Sequence, residues 1–180
     1  MCGIVGINSN KEVSSPILSS LRKLEYRGYD SAGIATLNNG YILEVKCEGR
    51  VDNLEKNIVK KKLLGNVGIG HVRWATHGIP STLNAHPHSS DNVSVVHNGI
   101  IENSTLLKKF LVKKGHKFKS QTDTEVIVHL ITEYLKKNNL IDTLTKVLKK
   151  LHGSFALGII FKDEPDLIVG ARRGSPLAVG

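Results

Sequence analysis

The chain has 180 residues, of which 25 are Lys or Arg and 16 are Asp or Glu, so that its formal net charge is +9. A chain of this length buries about 70% of its unfolded surface, enough for one core without disulfides or metals. No stretch has the roughly 18 consecutive apolar residues of a membrane span, and the first residues lack the basic region of a secretion signal. The composition therefore predicts one domain of a cytoplasmic protein, in which Cys2 and Cys47 are reduced thiols.

The positive charge comes mainly from lysines that are spread over predicted helices, and aromatic residues make up only 5% of the chain. Grooves that bind single-stranded nucleic acid usually combine cations with stacking rings. We therefore expect no nucleic-acid partner and no membrane partner, and we interpret the lysines as solvated helix faces.

In the first half, strands are predicted over 3–7, 32–37, 41–47 and 67–73, with one helix that begins at a capping Ser14 or Ser15 and another over 51–61. Asn38-Asn39-Gly40 indicates a hairpin turn. Residues 74–92 form a long polar segment typical of a functional loop.

In the second half, a strand is predicted over 93–97, helices over 104–114, 124–137 and 140–151, and strands over 155–161 and 167–171. Hairpins at both ends, with helices grouped between them, favour antiparallel sheets covered by helices. The fold class predicted from this order is α+β.

Cysteine at position 2 is the first candidate catalytic residue. Methionine before a small second residue is commonly removed, and its removal would give Cys2 a free α-amine beside the thiol. An α-amine has an unperturbed pKa of about 7.7–8.0 and a thiol of about 8.5, so the amine is suited to act as base for the nucleophile. Taken alone, a cysteine at this position is more readily interpreted as incidental.

Several further motifs accompany Cys2. They are Met1-Cys-Gly-Ile-Val-Gly6, Tyr26-Arg-Gly-Tyr-Asp-Ser-Ala-Gly33, Gly70-His-Val-Arg-Trp-Ala-Thr-His-Gly78, Asn84-Ala-His-Pro-His88, Val96-His-Asn-Gly-Ile-Ile-Glu-Asn103 and Thr122-Asp-Thr-Glu125. In this order they resemble the glutaminase domain of the glutamine:fructose-6-phosphate amidotransferase family, the glucosamine-6-phosphate synthases. The resemblance extends over the whole chain.

The resemblance implies an N-terminal-nucleophile hydrolase fold, a four-layer αββα sandwich with two antiparallel sheets. It also implies that Cys2 attacks the side-chain amide of L-glutamine and forms a γ-glutamyl thioester, which releases ammonia for the conversion of fructose 6-phosphate to glucosamine 6-phosphate. Asn98 and the backbone N–H of Gly99 would stabilise the oxyanion in that reaction. Standing alone, the Asn98-Gly99 dipeptide would predict a hairpin turn.

The same resemblance assigns the amino-acid head of glutamine to Arg73, for the α-carboxylate, and Asp123, for the α-ammonium. An arginine can hold a carboxylate in a bidentate fork. The alternative for Asp123 is structural, because Thr122 and Glu125 have the spacing of a capping box. Further site residues implied by the resemblance are Thr76 and His77 as pocket contacts, Trp74 as a gate on the ammonia route, and Arg27, Gly28 and His86 as supporting residues.

No metal and no cofactor are expected. The histidines at positions 71, 77, 86, 88 and 97 suggest a metal site only superficially, because no cysteine or carboxylate shares a ligand-like spacing with them. Two other functions stay open. One is the glutaminase domain of another amidotransferase with an N-terminal cysteine, and the other is a non-catalytic glutamine-binding module.

Full-length members of the resembled family continue through sugar-phosphate isomerase domains and are oligomeric. We therefore expect residues 1–180 to form one glutaminase domain that is incomplete at its C-terminal end. In relatives, the isomerase domains would be its partners in cis.

Overall fold

The protein is described by a computed structural model over residues 2–180; Met1, whose removal the sequence predicts, lies outside the described residues. The strands are β1 (Gly3–Asn8), β2 (Ser31–Asn38), β3 (Tyr41–Glu48), β4 (Val67–Arg73), β5 (His88–Ser89), β6 (Val93–Ile101), β7 (Gly153–Phe161) and β8 (Ile168–Arg173). The helices are α1 (Ser14–Leu24), α2 (Val51–Lys61), α3 (Ser104–Lys113), α4 (Glu125–Leu135) and α5 (Leu140–Lys150), and a 3₁₀ turn spans Glu25–Arg27.

The first sheet has the strand order β1-β4-β2-β3, and all its pairs are antiparallel. Its central strand β4 is buried along its whole length because both faces of the sheet are covered. Helices α1 and α2 cover one face, where Ile17, Leu21 and Leu54 pack against the strands.

The second sheet has the order β5-β6-β7-β8 and is also antiparallel throughout. Helices α3, α4 and α5 cover its outer face in the largest apolar cluster, which includes Ile127, Leu130 and Phe155. The inner faces of the two sheets meet at a smaller cluster that contains Ile69 of β4, Val96 of β6 and Ile160 of β7. The layers are therefore helix, sheet, sheet and helix, which confirms the predicted α+β sandwich. None of the helices within residues 2–180 combines the length and the hydropathy that crossing a membrane requires.

Strand β6 departs from the sequence prediction. It was expected to end at residue 97, but it continues to Ile101, because Asn98 pairs with Ala156 and Gly99 with Phe155 on β7. The Asn98-Gly99 dipeptide therefore lies inside a strand, and the hairpin-turn interpretation of it is wrong. The predicted loop over 74–92 also contains the short strand β5, which pairs with β6.

The predicted serine cap of α1 is wrong. Val13, whose side chain cannot cap, occupies the N-cap position, and the Ser14 N–H donates to Glu12 Oε1 at 2.8 Å. The Ser14 hydroxyl instead donates to the carbonyl oxygen of Leu63 at 2.6 Å. Burial of Ser14 favours this bond, since a buried hydroxyl needs a partner and the segment before α1 packs against the chain that leads into β4.

Candidate active site

A cleft that contains Cys2 lies where β1 begins and β4 ends. Its lining residues are Cys2, Arg73, Trp74, Thr76, His77, His86, His97, Gly99, Thr122, Asp123 and Thr124. Most of the site residues predicted from the sequence are therefore brought together. Asn98, Arg27 and Gly28 are not among the lining residues, although Asn98 is the strand neighbour of Gly99.

Cys2 is held by the backbone of Trp74. The Trp74 N–H donates to Cys2 Sγ at 3.4 Å, and the thiol faces the Trp74 carbonyl oxygen at 3.6 Å. Burial raises the pKa of the Cys2 thiol, although the hydrogen bond from Trp74 acts in the opposite direction. The group is therefore a thiol near neutral pH, and a base must take its proton when it attacks.

Gly28 packs closely against the peptide between Arg73 and Trp74. A Cβ atom at Gly28 would lie 2.4 Å from the carbonyl carbon of Arg73 and 2.7 Å from the backbone nitrogen of Trp74. Any other residue would push the Trp74 peptide away from Cys2. The neighbouring Arg27 is engaged differently, since its Nε–H donates to the Tyr26 hydroxyl at 3.1 Å.

Arg73 is buried in the wall of the cleft, and its guanidinium holds the loop that follows β4. It donates to the carbonyl oxygens of His77, of Gly78 at 3.1 Å and of Ile79 at 3.3 Å. The open volume of the cleft is only about 20 Å³, room for about one water molecule. The cleft in this structure is therefore too narrow to enclose a molecule the size of glutamine.

Asp30 is a site residue that the sequence analysis did not single out. Its carboxylate accepts the N–H of Ala75 and the hydroxyl of Ser31, and it lies 3.6 Å from the Arg73 guanidinium. Asp30 therefore fixes the chain on the far side of Trp74. The only signal in the sequence was its place inside the motif that begins at Tyr26.

Asp123 is buried, and its Oδ2 accepts the backbone N–H of Ile101 at 2.7 Å. This bond joins the segment before α4 to the end of β6. Gly99, on the same strand, has φ +145°, and a Cβ there would lie 2.1 Å from the carbonyl oxygen of Ser154. Only glycine lets β6 and β7 approach this closely at that backbone angle.

The capping box predicted for Thr122 and Glu125 is not formed. The Thr122 hydroxyl hydrogen-bonds with His88 Nε2 at 2.9 Å, and Thr124 occupies the N-cap position of α4 without capping the helix through its side chain. The Glu125 carboxylate reaches back to accept the N–H groups of Lys119 and Ser120 at 2.8 and 2.7 Å. Asp123 therefore lies outside the helix, and its position does not arise from helix capping.

Four histidines of the described chain are buried beside the cleft: His71, His86, His88 and His97. Burial lowers the pKa of His71 and of His88 to about 3 and that of His97 to about 4, and it lowers the pKa of His86 as well. The rings are therefore neutral at physiological pH. Across residues 2–180, no group of three or more His, Cys, Asp or Glu side chains is arranged to hold a metal ion.

Cys47 and the larger cavities offer no comparable chemistry. Cys47 is buried in β3, and burial raises the pKa of its thiol to about 11. One cavity of about 320 Å³ is lined in part by Thr132 and Phe161, and another of about 490 Å³ in part by Ile4 and Leu177; neither lining includes a cysteine or a histidine. The Cys2 cleft is therefore the candidate active site.

Comparison with known proteins gives consistent results. A family described as "Glutamine amidotransferase domain" matches residues 71–175. Over its full length the chain is 57% identical to the glutamine–fructose-6-phosphate aminotransferase (isomerizing) of Clostridium acetobutylicum. It is 53% identical to the protein of the same name from Mesorhizobium japonicum. The chain spans 30% of the length of each of these relatives. The glutamine phosphoribosylpyrophosphate amidotransferase of B. subtilis, solved with ADP and GMP, matches with a TM-score of 0.78 and 30% identity, covering 90% of this chain and 35% of that one.

The two packed sheets and their structural neighbours define an amidotransferase of the N-terminal-nucleophile fold class. The family match covers more than half of the chain. The chain belongs to the glutamine amidotransferase domain family.

Proposed function

We propose that this chain is the glutaminase part of a glutamine:fructose-6-phosphate aminotransferase, and that it hydrolyses L-glutamine to supply ammonia for glucosamine 6-phosphate synthesis. The observation that carries the proposal is the position of Cys2, whose Sγ accepts the Trp74 N–H in a cleft also lined by Arg73 and Asp123. The sugar substrate is favoured by the 57% identity to a relative of that name, against 30% to the phosphoribosylpyrophosphate enzyme.

In the proposed reaction, Cys2 Sγ attacks the side-chain amide carbon of glutamine. The thiol proton passes to the α-amine of Cys2, which is free once Met1 is removed, and from there to the leaving nitrogen. The C–N bond breaks, ammonia departs and a γ-glutamyl thioester remains. Water then attacks the thioester, its proton returns to the sulfur, and glutamate is released.

The oxyanion of each tetrahedral intermediate would be stabilised by the Gly99 N–H and the Asn98 side chain. Gly99 lines the cleft, and Asn98 is half-buried next to it. Removal of one such donor typically lowers the rate by about 10²–10³.

The amino-acid head of glutamine would be bound by Arg73 and Asp123, a cation and an anion that both line the cleft. Arg73 already donates to loop carbonyls, so binding of the α-carboxylate would exchange some of those bonds for charge-assisted ones. Ammonia would be used by sugar-phosphate isomerase domains, which we assign to the part of the relatives' length that this chain does not span.

Substitution of the nucleophile tests the proposal. We expect Cys2→Ala to abolish glutamine hydrolysis and to leave glutamine binding, measured by calorimetry, largely intact, because the thiol makes few ground-state contacts. A glutamine-like electrophile such as diazo-oxo-norleucine should label Cys2. The intact mass is recorded first, since a retained Met1 acylates the amine and should silence the chain.

Cys47→Ala is the matched control, because it removes a buried thiol in β3 that does not line the cleft. It should retain hydrolysis and labelling. Activity in Cys2→Ala, or inactivating label found on Cys47, would show that the nucleophile is assigned to the wrong residue.

A further inference from the structure

The hydroxyl of Thr124 bridges two buried histidine rings. Thr124 Oγ1 lies 2.7 Å from His86 Nε2 and 2.8 Å from His97 Nδ1. Thr124 is fully buried, and both rings are almost so. The remaining ring nitrogens, His86 Nδ1 and His97 Nε2, have no hydrogen-bond partner in the part of the chain that the structure describes.

A threonine hydroxyl has one proton and two acceptor lone pairs. Among residues 2–180 the Thr124 hydroxyl has no hydrogen-bond partner besides His86 Nε2 and His97 Nδ1, so its proton goes to one ring and it accepts from the other. If it donates to His86 Nε2, then His86 carries its proton on Nδ1, and His97 must donate from Nδ1. If it donates to His97 Nδ1, then both rings carry their protons on Nε2. Since both rings are neutral, the two histidines must hold their protons on the nitrogen of the same name.

This bridge joins the segments that carry the proposed catalytic groups. His97 directly precedes Asn98 and Gly99 on β6, and Thr124 directly follows Asp123. The carbonyl oxygen of His97 also accepts the Nε2–H of His71, which lies on β4 of the other sheet. The hydrogen bonds therefore fix β6 relative both to the segment before α4 and to the strand that ends at Arg73.

We propose that Thr124 is a positioning residue, whose hydroxyl couples the tautomers of His86 and His97 and thereby holds the Asn98-Gly99 segment in register with Asp123. This inference deepens the proposed function and rests on it for its catalytic part. The tautomer part rests on the geometry alone.

The test compares Thr124→Val, which keeps the shape of the side chain but removes the hydroxyl, with Thr124→Ser, which keeps the hydroxyl. Thr143→Val is the matched control. Thr143 is also fully buried, but its Oγ1 has no hydrogen-bond partner among residues 2–180, so that the same substitution breaks no bond there.

Two readouts are measured on the whole chain. Long-range ¹⁵N NMR of the imidazole rings reports each tautomer, and steady-state glutamine hydrolysis reports kcat and KM. In the natural chain we expect His86 and His97 to share one tautomer. In Thr124→Val the tautomer of one ring should no longer determine that of the other. In the same variant kcat should fall about tenfold, and KM should change less than threefold. Thr124→Ser and Thr143→Val should behave like the natural chain in both readouts.

Opposite tautomers of His86 and His97 in the natural chain would overturn the inference, whether or not the chain is active. An unchanged kcat in Thr124→Val would overturn the positioning role, even if the melting temperature fell. Failure of the natural chain to hydrolyse glutamine would count against the proposed function instead, and the tautomer measurement would still decide the coupling.

Discussion

Backbone N–H groups orient both carboxylates of the candidate site. Asp30 accepts the N–H of Ala75, and Asp123 accepts the N–H of Ile101. Such bonds fix the direction of a carboxylate but leave its charge in place. Asp123 therefore has a structural partner that the sequence did not reveal, and the question is whether its charge also binds the α-ammonium of glutamine.

Asp123→Asn separates these two roles. The amide oxygen of asparagine can still accept the Ile101 N–H, so the local shape is kept while the charge is removed. Loss of one partner of a desolvated ion pair commonly costs about 2–5 kcal/mol, so glutamine affinity should weaken by more than about tenfold. Calorimetry in a Cys2→Ala background measures this affinity without hydrolysis, and thermal melts on the same sample measure stability.

Asp142→Asn is the control for this experiment. Asp142 is an exposed acid in the first turn of α5, where it accepts a hydrogen bond from Asn139. The substitution removes the same charge at a site away from the cleft, and glutamine affinity should not change. If Asp123→Asn lowered the melting temperature but kept normal affinity, Asp123 would have only the structural role and Arg73 would need another counterpart.

At the scale of single residues, the sequence predicted the groups that have distinctive chemistry. Cys2, Arg73 and Asp123 were placed in one site by their motifs, and they line one cleft. Asp30 and Thr124 were not identified, although they lie inside quoted motifs. Their partners are 45 residues away, at Ala75, and 38 and 27 residues away, at His86 and His97. Spacing along the chain carries no information on such contacts.

At the scale of elements, apolar patterning was a reliable guide. Helix α2 and strand β4 have the predicted bounds, although the signal for α2 was a weak, lysine-rich pattern and β4 ends in the polar residues His71 and Arg73. Turn signals were less reliable. Asn39 and Gly40 form a turn with positive φ, whereas Asn98-Gly99 continues a strand, because pairing with β7 overrides the local preference of the dipeptide.

Gly99→Ala tests how closely β6 and β7 must approach at the site. The new Cβ would lie 2.1 Å from the Ser154 carbonyl oxygen at a φ of +145°. Backbone strain at such an angle costs about 1–3 kcal/mol, and overpacking against a strand adds about 1–3 kcal/mol. Urea unfolding should therefore show a loss of several kcal/mol, together with loss of glutaminase activity.

Gly40→Ala distinguishes strain from close approach. Gly40 also has positive φ, +76°, but its Cβ would meet no atom within 4 Å. This variant should lose only the strain cost, about 1–3 kcal/mol, and keep its activity. Equal losses in the two variants would mean that the contact with Ser154 relaxes freely and that the strand pairing tolerates a side chain there.

At the scale of the whole molecule, the packing of two sheets explains the state of the histidines. His71 lies on the first sheet and His97 on the second, and the rings of His71 and His86 stack at 4.1 Å. Burial disfavours the charged form of each ring. The sequence showed the histidines but not their burial, which follows from the layers and not from local pattern.

The lowered pKa values of the buried histidines make the stability of the fold depend on pH. An unfolded histidine has a pKa of about 6.5, whereas burial lowers the pKa of His71 and His88 to about 3 and that of His97 to about 4. Because the folded-state pKa is the lower one, the stabilising effect is complete above pH 6.5. It is lost as the pH falls, since at these three rings only the unfolded chain takes up protons between about pH 6.5 and 4.

We therefore expect cooperative unfolding in mild acid. Each neutral buried histidine makes the free energy of unfolding fall by about 1.4 kcal/mol per pH unit below pH 6.5. The four rings of His71, His86, His88 and His97 together make it fall by about 5 kcal/mol per pH unit. The whole free energy of unfolding of a typical domain is only about 5–15 kcal/mol. Urea titrations at a series of pH values measure this slope. Replacing the buried His88 with Gln should reduce this slope by the contribution of one proton, about 1.4 kcal/mol per pH unit. Replacing the exposed His152 with Gln should leave the slope unchanged. A stability that stayed constant between pH 6.5 and 5 would show that the buried rings take up protons in the folded state.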